Sequence, residues 1–412
     1  MKAEGRIRKP AWLLAEQTGW KTGLAQPRFR LPNSHFRLHK NRCNRSPHYL
    51  KRYINMEQAA LSKDAIQLLQ QLIATPSLSR EEADTAALLY QFLADKGVKV
   101  ERSGNNVWAK NQYWQADKST ILLNSHHDTV KPASGWQRDP FHPGIEGDTL
   151  YGLGSNDAGG PLVSLMATFL HFHAKKDLPF NLLLAATAEE EISGKNGIAA
   201  LLPELGTIAL GIVGEPTKME MAIAEKGLLV IDGTAHGKSG HAAREEGENA
   251  LYKAVEDIQW LRSFQFPKVS PLLGAVKTTV TQMTAGTQHN VVPDQCQFVI
   301  DVRTNEHYSN QEVFDYLQSQ VQSELKARSF RLNSSGIPLD HPLVQHGLSL
   351  DWPYFGSPTL SDQALMSFPT LKLGPGDSAR SHTADEFIRL PEIEEGISKY
   401  ISLLSLLKAG EV

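Results

Sequence analysis

The sequence predicts an α/β protein: a mixed, mostly parallel sheet flanked by helices, with an inserted α+β two-layer sandwich. Three observations predict this. From Ser62 to Gly214, short apolar strands alternate with amphipathic helices, the pattern of a parallel sheet. Near residue 228 the order changes to strand, helix, strand, strand, helix, which is that of a split βαβ sandwich. After residue 336 a final helix completes the chain, so the sandwich reads as an insertion. A chain of 412 residues has room for both, because single cores stop growing at about 250–300 residues.

Each element follows from its period. "DAIQLLQQLIA" (64–74) and "EEADTAALLYQFLADKG" (81–97) place apolar residues at helical spacing, and Gly97 ends the second. "TILLN" (120–124) is a short buried strand. "GGPLVSLMATFLHFHAKK" (159–176) returns to a helical period. "NLLLAATA" (181–188) and "IALGIVG" (208–214) are buried strands, with a helix near 197–205 between them. The inserted unit begins with the strand "LLVIDGTAHG" (228–237) and the helix "NALYKAVEDIQWLRSF" (249–264). The strands "VKTTVTQMT" (276–284) and "CQFVIDVR" (296–303) follow. A long helix is expected over 309–327 and a last strand over 329–335. The closing helix is "PEIEEGISKYISLLSLLKA" (391–409). The boundaries expected are therefore 56–227 with 336–412 for the main domain and 228–335 for the inserted lid.

The net charge of −3 hides an asymmetry. Residues 1–55 carry thirteen Lys/Arg against two Asp/Glu, and the rest of the chain is acidic. Such an arm suits nucleic acid, a targeting segment, or upstream sequence with no folded role. The last is the reading adopted: an extension that is disordered or not native, with the folded chain opening near Met56. The acidic remainder argues against a nucleic-acid partner. No apolar run approaches the roughly 20 residues needed to cross a bilayer, so no membrane partner is expected. Cys43 and Cys296 are the only cysteines. Two so far apart make neither a disulfide framework nor a thiolate metal cluster, and a cytoplasmic location is expected.

The buried strands share one regularity: each ends in ionisable residues. His126-His127-Asp128 follows the first, Glu189-Glu190-Glu191 the second and Glu215 the third. Open parallel sheets place their sites beyond the carboxyl ends of the strands, so three clusters distant in sequence share one rim. "YGLGSNDAGG" (151–160) adds Asp157 in a Gly-rich turn. "GPGDSARSHTADEF" (374–387) adds His382 in a loop. Each motif also has a plain reading as a solvated run or a turn; it is their joint placement that points to a site. Imidazoles and carboxylates without thiolates suit Zn²⁺, Mn²⁺ or Co²⁺. Residue types alone leave open which of His126 and His127 is a ligand.

These motifs, in this order, resemble those of the zinc amidohydrolases and exopeptidases that include acetylornithine deacetylase, succinyl-diaminopimelate desuccinylase, aminoacylase and carboxypeptidase G. The resemblance covers about residues 60–408. "HHDTVKP" and "GLGSNDAGG" are most similar to the acetylornithine and acetylcitrulline deacetylase branch. It implies two Zn²⁺ per subunit, with Co²⁺ or Mn²⁺ able to substitute. The family's H-x-D motif makes His126 the ligand and Asp128 its orienting acid. Asp157 would bridge the metals, Glu190 would be the general base and Glu191 a ligand. Glu215 and His382 complete the two sites: His126, Asp157 and Glu215 for one metal, Asp157, Glu191 and His382 for the other.

The lid motifs extend the resemblance. "HGKSGHAA" (236–243) makes His241 the oxyanion donor, reaching a partner subunit's site across a homodimer formed through the lid. "HNVVPDQCQFVIDVR" (289–303) makes Asn290 and Arg303 the holders of a substrate carboxylate; Arg380, beside His382, is a lesser candidate for the substrate tail. The sequence departs from the family pattern at Glu189, where Asp is common, and at Leu153, where Arg is common. The activity implied is hydrolysis of the amide bond of an N-acyl amino acid, acetylornithine or acetylcitrulline in arginine biosynthesis. Its alternative is an exopeptidase, a dipeptidase or succinyl-diaminopimelate desuccinylase with the same machinery. A non-catalytic binding protein would have lost the base or the ligands, and both are present.

Overall fold

A computed structural model describes the backbone of residues 47–412 and the side chains from Met56 onward. Residues 1–46, the bulk of the basic arm, lie outside the described residues, and so does Cys43. The first helix, expected over 64–74, runs from Pro47 to Ile73. Proline is well placed at its start, where its missing N–H has no helical partner to lose.

Among the described residues the main sheet has nine strands. Its centre is parallel: Asn181–Thr187, Thr120–His126, Leu210–Val213 and Thr370–Lys372 lie side by side in that order. At one edge the hairpin Val100–Ser103 and Asn106–Lys110 adds two antiparallel strands. At the other, Met221–Glu225 pairs antiparallel with Lys372, and it carries Ser335–Gly336 and Tyr354–Ser357. The sheet alternates faces with period two. Ile121, Leu123, Leu182 and Leu184 pack under Leu68, Leu89, Phe169 and Tyr400 of four helices. Leu122, Leu183 and Val213 pack against Ile198 and Leu201 of helix Ile198–Leu205. Covered on both faces, the central strands are continuous apolar runs, and this made them legible.

The inserted unit forms a separate antiparallel sheet in the order Lys277–Ala285, Gln295–Thr304, Gly227–His236, Glu324–Ala327. Helices Ala250–Ser263 and Asn310–Gln320 cover one face over Leu229, Ile231, Phe298 and Ile300, with Leu317 of the second helix buried against them. One expectation is corrected here. The helix predicted over 309–327 stops at Gln320, and Glu324–Ala327 is the last lid strand, not 329–335. Asp257 explains the break. Its buried carboxylate accepts bonds from Gln322 N (3.0 Å), Ser323 N (2.8 Å) and Ser323 Oγ (2.6 Å), drawing the chain out of the helix. Periodicity does not register such a long-range acceptor.

No helix among the described residues is long and apolar enough to cross a membrane.

Candidate active site

The rim expected from the strand ends is where the ionisable residues meet. His126 closes the all-buried strand Thr120–His126. Asp157 lies in the turn before helix Gly160–His173. There Gly154 takes a left-handed φ of 73°, and a Cβ on Gly159 would stand 2.4 Å from the Gly154 carbonyl. Glycine is needed at both. Glu190 and Glu191 form a single tight turn, Glu190–Ile192, between Glu189 and Ser193, both in the left-handed region. Glu189 does not reach out to solvent. It is buried and accepts bonds from Asn196 N (3.1 Å) and Nδ2 (2.8 Å), which folds the loop under itself. Glu215 follows strand Leu210–Val213, and His382 follows the turn Ser378–Arg380.

The distances define two triads. Asp157 Oδ1 lies 3.3 Å from His126 Nε2, and Asp157 Oδ2 lies 3.7 Å from His382 Nε2. Glu215 Oε1 is 3.8 Å from His126 Nε2, and Glu191 Oε2 is 2.9 Å from His382 Nε2. The candidate donor atoms of His126, Asp157 and Glu215 lie within 4.8 Å of one another, as do those of Asp157, Glu191 and His382. One carboxylate thus offers one oxygen to each triad. Glu190 Oε2 stands 3.8 Å from His126 Nε2 and belongs to neither triad.

His126 and His127 part company. His126 Nδ1 faces the Asp128 carbonyl at 3.0 Å and its carboxylate at 3.5 Å, leaving Nε2 to the triad. His127 turns the other way: Nε2 faces Asn105 O at 2.9 Å and Nδ1 meets Thr85 Oγ1 at 2.9 Å. Both its nitrogens are used in the fold.

The electrostatics fit cations. Burial, aided by the Asp157 charge, pushes the Glu215 carboxyl up to about 8. Burial raises Glu191, and raises Glu190 well above the carboxylate range. The hydrogen bond to Glu191 lifts His382 to about 9. Burial works against a charged His126, yet Glu190, Asp128, Asp157 and Glu215 together hold its pKa well above the usual value. Buried carboxylates that crowd one another and drag imidazoles toward the cation are the environment that divalent metals satisfy. The donor set is nitrogen and oxygen only, which fits two borderline-hard ions sharing Asp157.

Sequence reasoning missed several residues that hold this centre. Glu386 is buried and accepts from Gly154 N (3.0 Å), Asn156 N (2.9 Å) and Asp157 N (2.9 Å), clamping the Asp157 turn. Burial, then the Asp157 charge, pushes its carboxyl up to about 8. Ser79 donates to Asp128 Oδ2 at 2.7 Å. Glu225 and Lys372 form a buried pair at 3.0 Å behind Glu215. A lysine inside the apolar strand "TLKL" was a signal available in the sequence; "TADEF" around Glu386 offers none.

A cavity of about 240 Å³ opens from the triads. Glu190, Glu215, Thr217, Phe355, Ser357 and His382 are among its lining. The lid candidates lie elsewhere. His241 and Asn290 share a short ribbon, where Gly240–His241 pairs with Val291–Val292 and Ala242 N donates to Asn290 O at 2.9 Å. His241 is exposed, and its Nδ1 accepts from Ala243 N at 3.1 Å, which leaves Nε2 as the ring nitrogen available to donate. Arg303 sits at the other end of strand Gln295–Thr304, eight residues from Gln295, or about 26 Å at strand rise. It is bidentate to Asp301 at 2.8 and 3.0 Å. Arg380 is committed to Glu392 at 2.7 and 3.0 Å.

A parallel α/β sheet whose rim gathers two metal triads around one shared carboxylate defines the class of dinuclear metal hydrolases. The chain belongs to peptidase family M20/M25/M40, whose model matches residues 122–406. Solved structures of similar fold include an M20 family metallo-carboxypeptidase, Sso-CP2 of Sulfolobus solfataricus. It is 18% identical with TM-score 0.68, over 83% of this chain and 98% of that one. The YXEP protein of Bacillus subtilis, a dinuclear metal binding M20 peptidase, is 16% identical with TM-score 0.64, over 84% and 98%. An amidase of the hydantoinase/carbamoylase family from Burkholderia multivorans is 14% identical with TM-score 0.52, over 84% and 97%.

Proposed function

We propose that this protein is a metal-dependent exopeptidase or dipeptidase that cleaves the amide bond next to a free α-carboxylate. The carrying observation is the placement of Glu190 beside, and outside, two triads that share Asp157. A base that is not itself a ligand stays free to move a proton. A cavity of about 240 Å³ suits a small molecule and not a folded chain. Peptidases among the structures of similar fold favour peptides over the acetylornithine or acetylcitrulline reading. That deacetylase reading rests on the likeness of "HHDTVKP" and "GLGSNDAGG" and is kept as the second.

In this reading His126, Asp157 and Glu215 hold one Zn²⁺, and Asp157, Glu191 and His382 the other. When bound, such a pair supplies Lewis acidity and an acidified water. Glu190 accepts a proton at its carboxylate and returns it to the leaving amine. Asp128 fixes His126 through Nδ1 and holds Glu190 through its backbone N–H. The lid geometry favours a homodimer. His241 and Asn290 stand at the lid's far end and Arg303 at its root, so one chain does not bring all three to one substrate. A partner subunit supplies the first two, and Arg303 receives the α-carboxylate as a planar fork.

The test is a panel of dipeptides beside N-acetylornithine and N-acetylcitrulline, run with chelator and after Zn²⁺ or Co²⁺ return. Chelator-sensitive dipeptide hydrolysis is expected to lead. Faster turnover of N-acetylornithine would overturn the peptidase reading in favour of the second, and turnover unaffected by chelator would overturn both.

A further inference from the structure

A buried lysine faces the cavity without serving either triad. Lys372 closes strand Thr370–Lys372, whose Leu371 packs into the main core, so Lys372 points to the opposite face of the sheet. It is 2% exposed, and among the described residues it is the one lysine or arginine that lines the cavity. An ammonium has three donors, and three oxygens surround this one. Glu225 Oε2 stands 3.0 Å away. Thr359 O and Thr359 Oγ1 accept from Nζ at 2.9 and 3.2 Å. That leaves Lys372 no donor for a substrate.

Thr359 belongs to a wall of the cavity. Residues 357–360 all line it, together with Glu190, Glu191 and Glu215. They connect strand Tyr354–Ser357 to the turn Asp362–Leu365 and belong to no helix. Pro358 has no N–H to contribute to a local turn. The wall is instead anchored from outside. Lys226 N holds its start, donating to Ser357 O at 3.1 Å. Glu225 holds its end, accepting from Ser361 Oγ at 2.8 Å. Lys372 holds its middle.

A buried ion pair is a poor source of stability, because both charges give up water. Two well-packed apolar side chains fill such a place at least as well. What this pair supplies is a set of directed donors at one point. Glu225 aims them, and it is itself fixed by Ser335 Oγ at 3.0 Å and by Ser361.

We propose that Lys372 is a positioning residue for substrate: through the Thr359 carbonyl and hydroxyl it fixes the wall 357–360 opposite Glu190 and the triads, and Glu225 holds Lys372 in place. This rests on the amide-hydrolase reading above. Without Lys372 the wall must be ordered each time substrate binds, which weakens binding and leaves the chemical step less affected.

The test compares Lys372→Met, Glu225→Gln and the double variant on the metal-loaded protein, with Ala-Leu and N-acetylornithine as probes. Lys372→Met strands the Glu225 charge, so its melting temperature should fall. Its KM should rise about tenfold while kcat falls by less. Adding Glu225→Gln removes the stranded charge, so the melting temperature should recover while KM stays raised. Glu225→Gln alone keeps the Thr359 bonds and should lose stability with a smaller rise in KM. Amide hydrogen exchange at Thr359–Ser361 reads the wall without turnover, and it should quicken in both Met variants. A KM that recovers together with the melting temperature in the double variant would make Lys372 a charge partner of Glu225 and overturn the proposal. Unchanged exchange, or a fall in kcat with KM unmoved, would also overturn it. Quickened exchange in a protein that hydrolyses neither probe, wild type included, would sink the functional reading and keep the wall.

Discussion

Asp128 Oδ1 accepts a hydrogen bond from the backbone N–H of Glu190 at 3.0 Å. The same carboxylate takes Glu191 N at 3.2 Å and Ser79 Oγ at 2.7 Å, and it lies 3.5 Å from His126 Nδ1. One acid therefore fixes a ligand from the first motif and the turn carrying the base from the second, 62 residues apart. Asp128→Ala should release both. The expected result is a fall in kcat of at least about 10²-fold, with metal affinity down about 10–100-fold, the usual cost of losing an orienting partner. Metal stoichiometry and kcat, measured together at saturating metal, check this. A kcat restored fully by excess metal would leave Asp128 with the ligand alone.

Glu190→Gln isolates the base. Its side chain is not in either triad, so both metals should remain. Turnover should fall by about 10²–10⁴-fold, the range for a positioned general base. Metal analysis beside kinetics decides: lost metal would make Glu190 a ligand, and retained activity would remove it from proton transfer.

Glu386 is the acid under the bridging residue. It ties three successive-turn N–H groups, including that of Asp157 itself. Glu386→Ala leaves three buried donors unpaired, each costing about 1–3 kcal/mol before the loop relaxes. Lower thermal stability and metal affinity down about 10–100-fold are expected. Glu386→Gln, which keeps an acceptor oxygen, should lose less of both. Equal metal affinity in wild type and Glu386→Ala would show that the turn holds Asp157 unaided.

The legible parts of this protein are those in which sequence-local chemistry fixes structure. Buried parallel strands are unbroken apolar runs, and ionisable residues at their ends had to meet at one rim; the clusters His126-His127-Asp128, Glu189-Glu190-Glu191 and Glu215 were legible on that ground, while the choice of His126, Glu190 and Glu191 within them rests on the family resemblance. The illegible parts depend on partners far away in the chain. Asp257 ends a helix from 65 residues off, and Glu386 clamps a turn from 229 residues off. Neither position carries a local signal. Short strands such as Thr370–Lys372 and Phe387–Arg389 were missed because three residues give no period. The lid motifs were legible as likeness, but the distance along strand Gln295–Thr304 that separates Asn290 from Arg303 is a property of the fold.

His127 supplies a pH test. Burial lowers the pKa of its ring below the usual 6.5, outweighing the Asn105 carbonyl and the Asp128 and Glu82 charges. A histidine depressed in the folded state stabilises the fold above its unfolded pKa, and that contribution drains away as pH falls below about 6.5 toward the folded value. Wild type should therefore lose thermal stability between about pH 7 and pH 5 through this group. His127→Gln, which keeps a donor and an acceptor but does not titrate, should lose less over the same window. It should start lower at pH 7, where Thr85 and Asn105 miss the imidazole, and still bind both metals. His126→Ala should show the opposite pattern: metal and activity gone, with no selective loss of the acid-side slope. Melting temperatures from pH 5 to 8 at saturating metal separate the neighbours. Parallel slopes for wild type and His127→Gln would mean that His127 binds its proton equally in the folded and unfolded chains over that range, contrary to the depression that burial imposes.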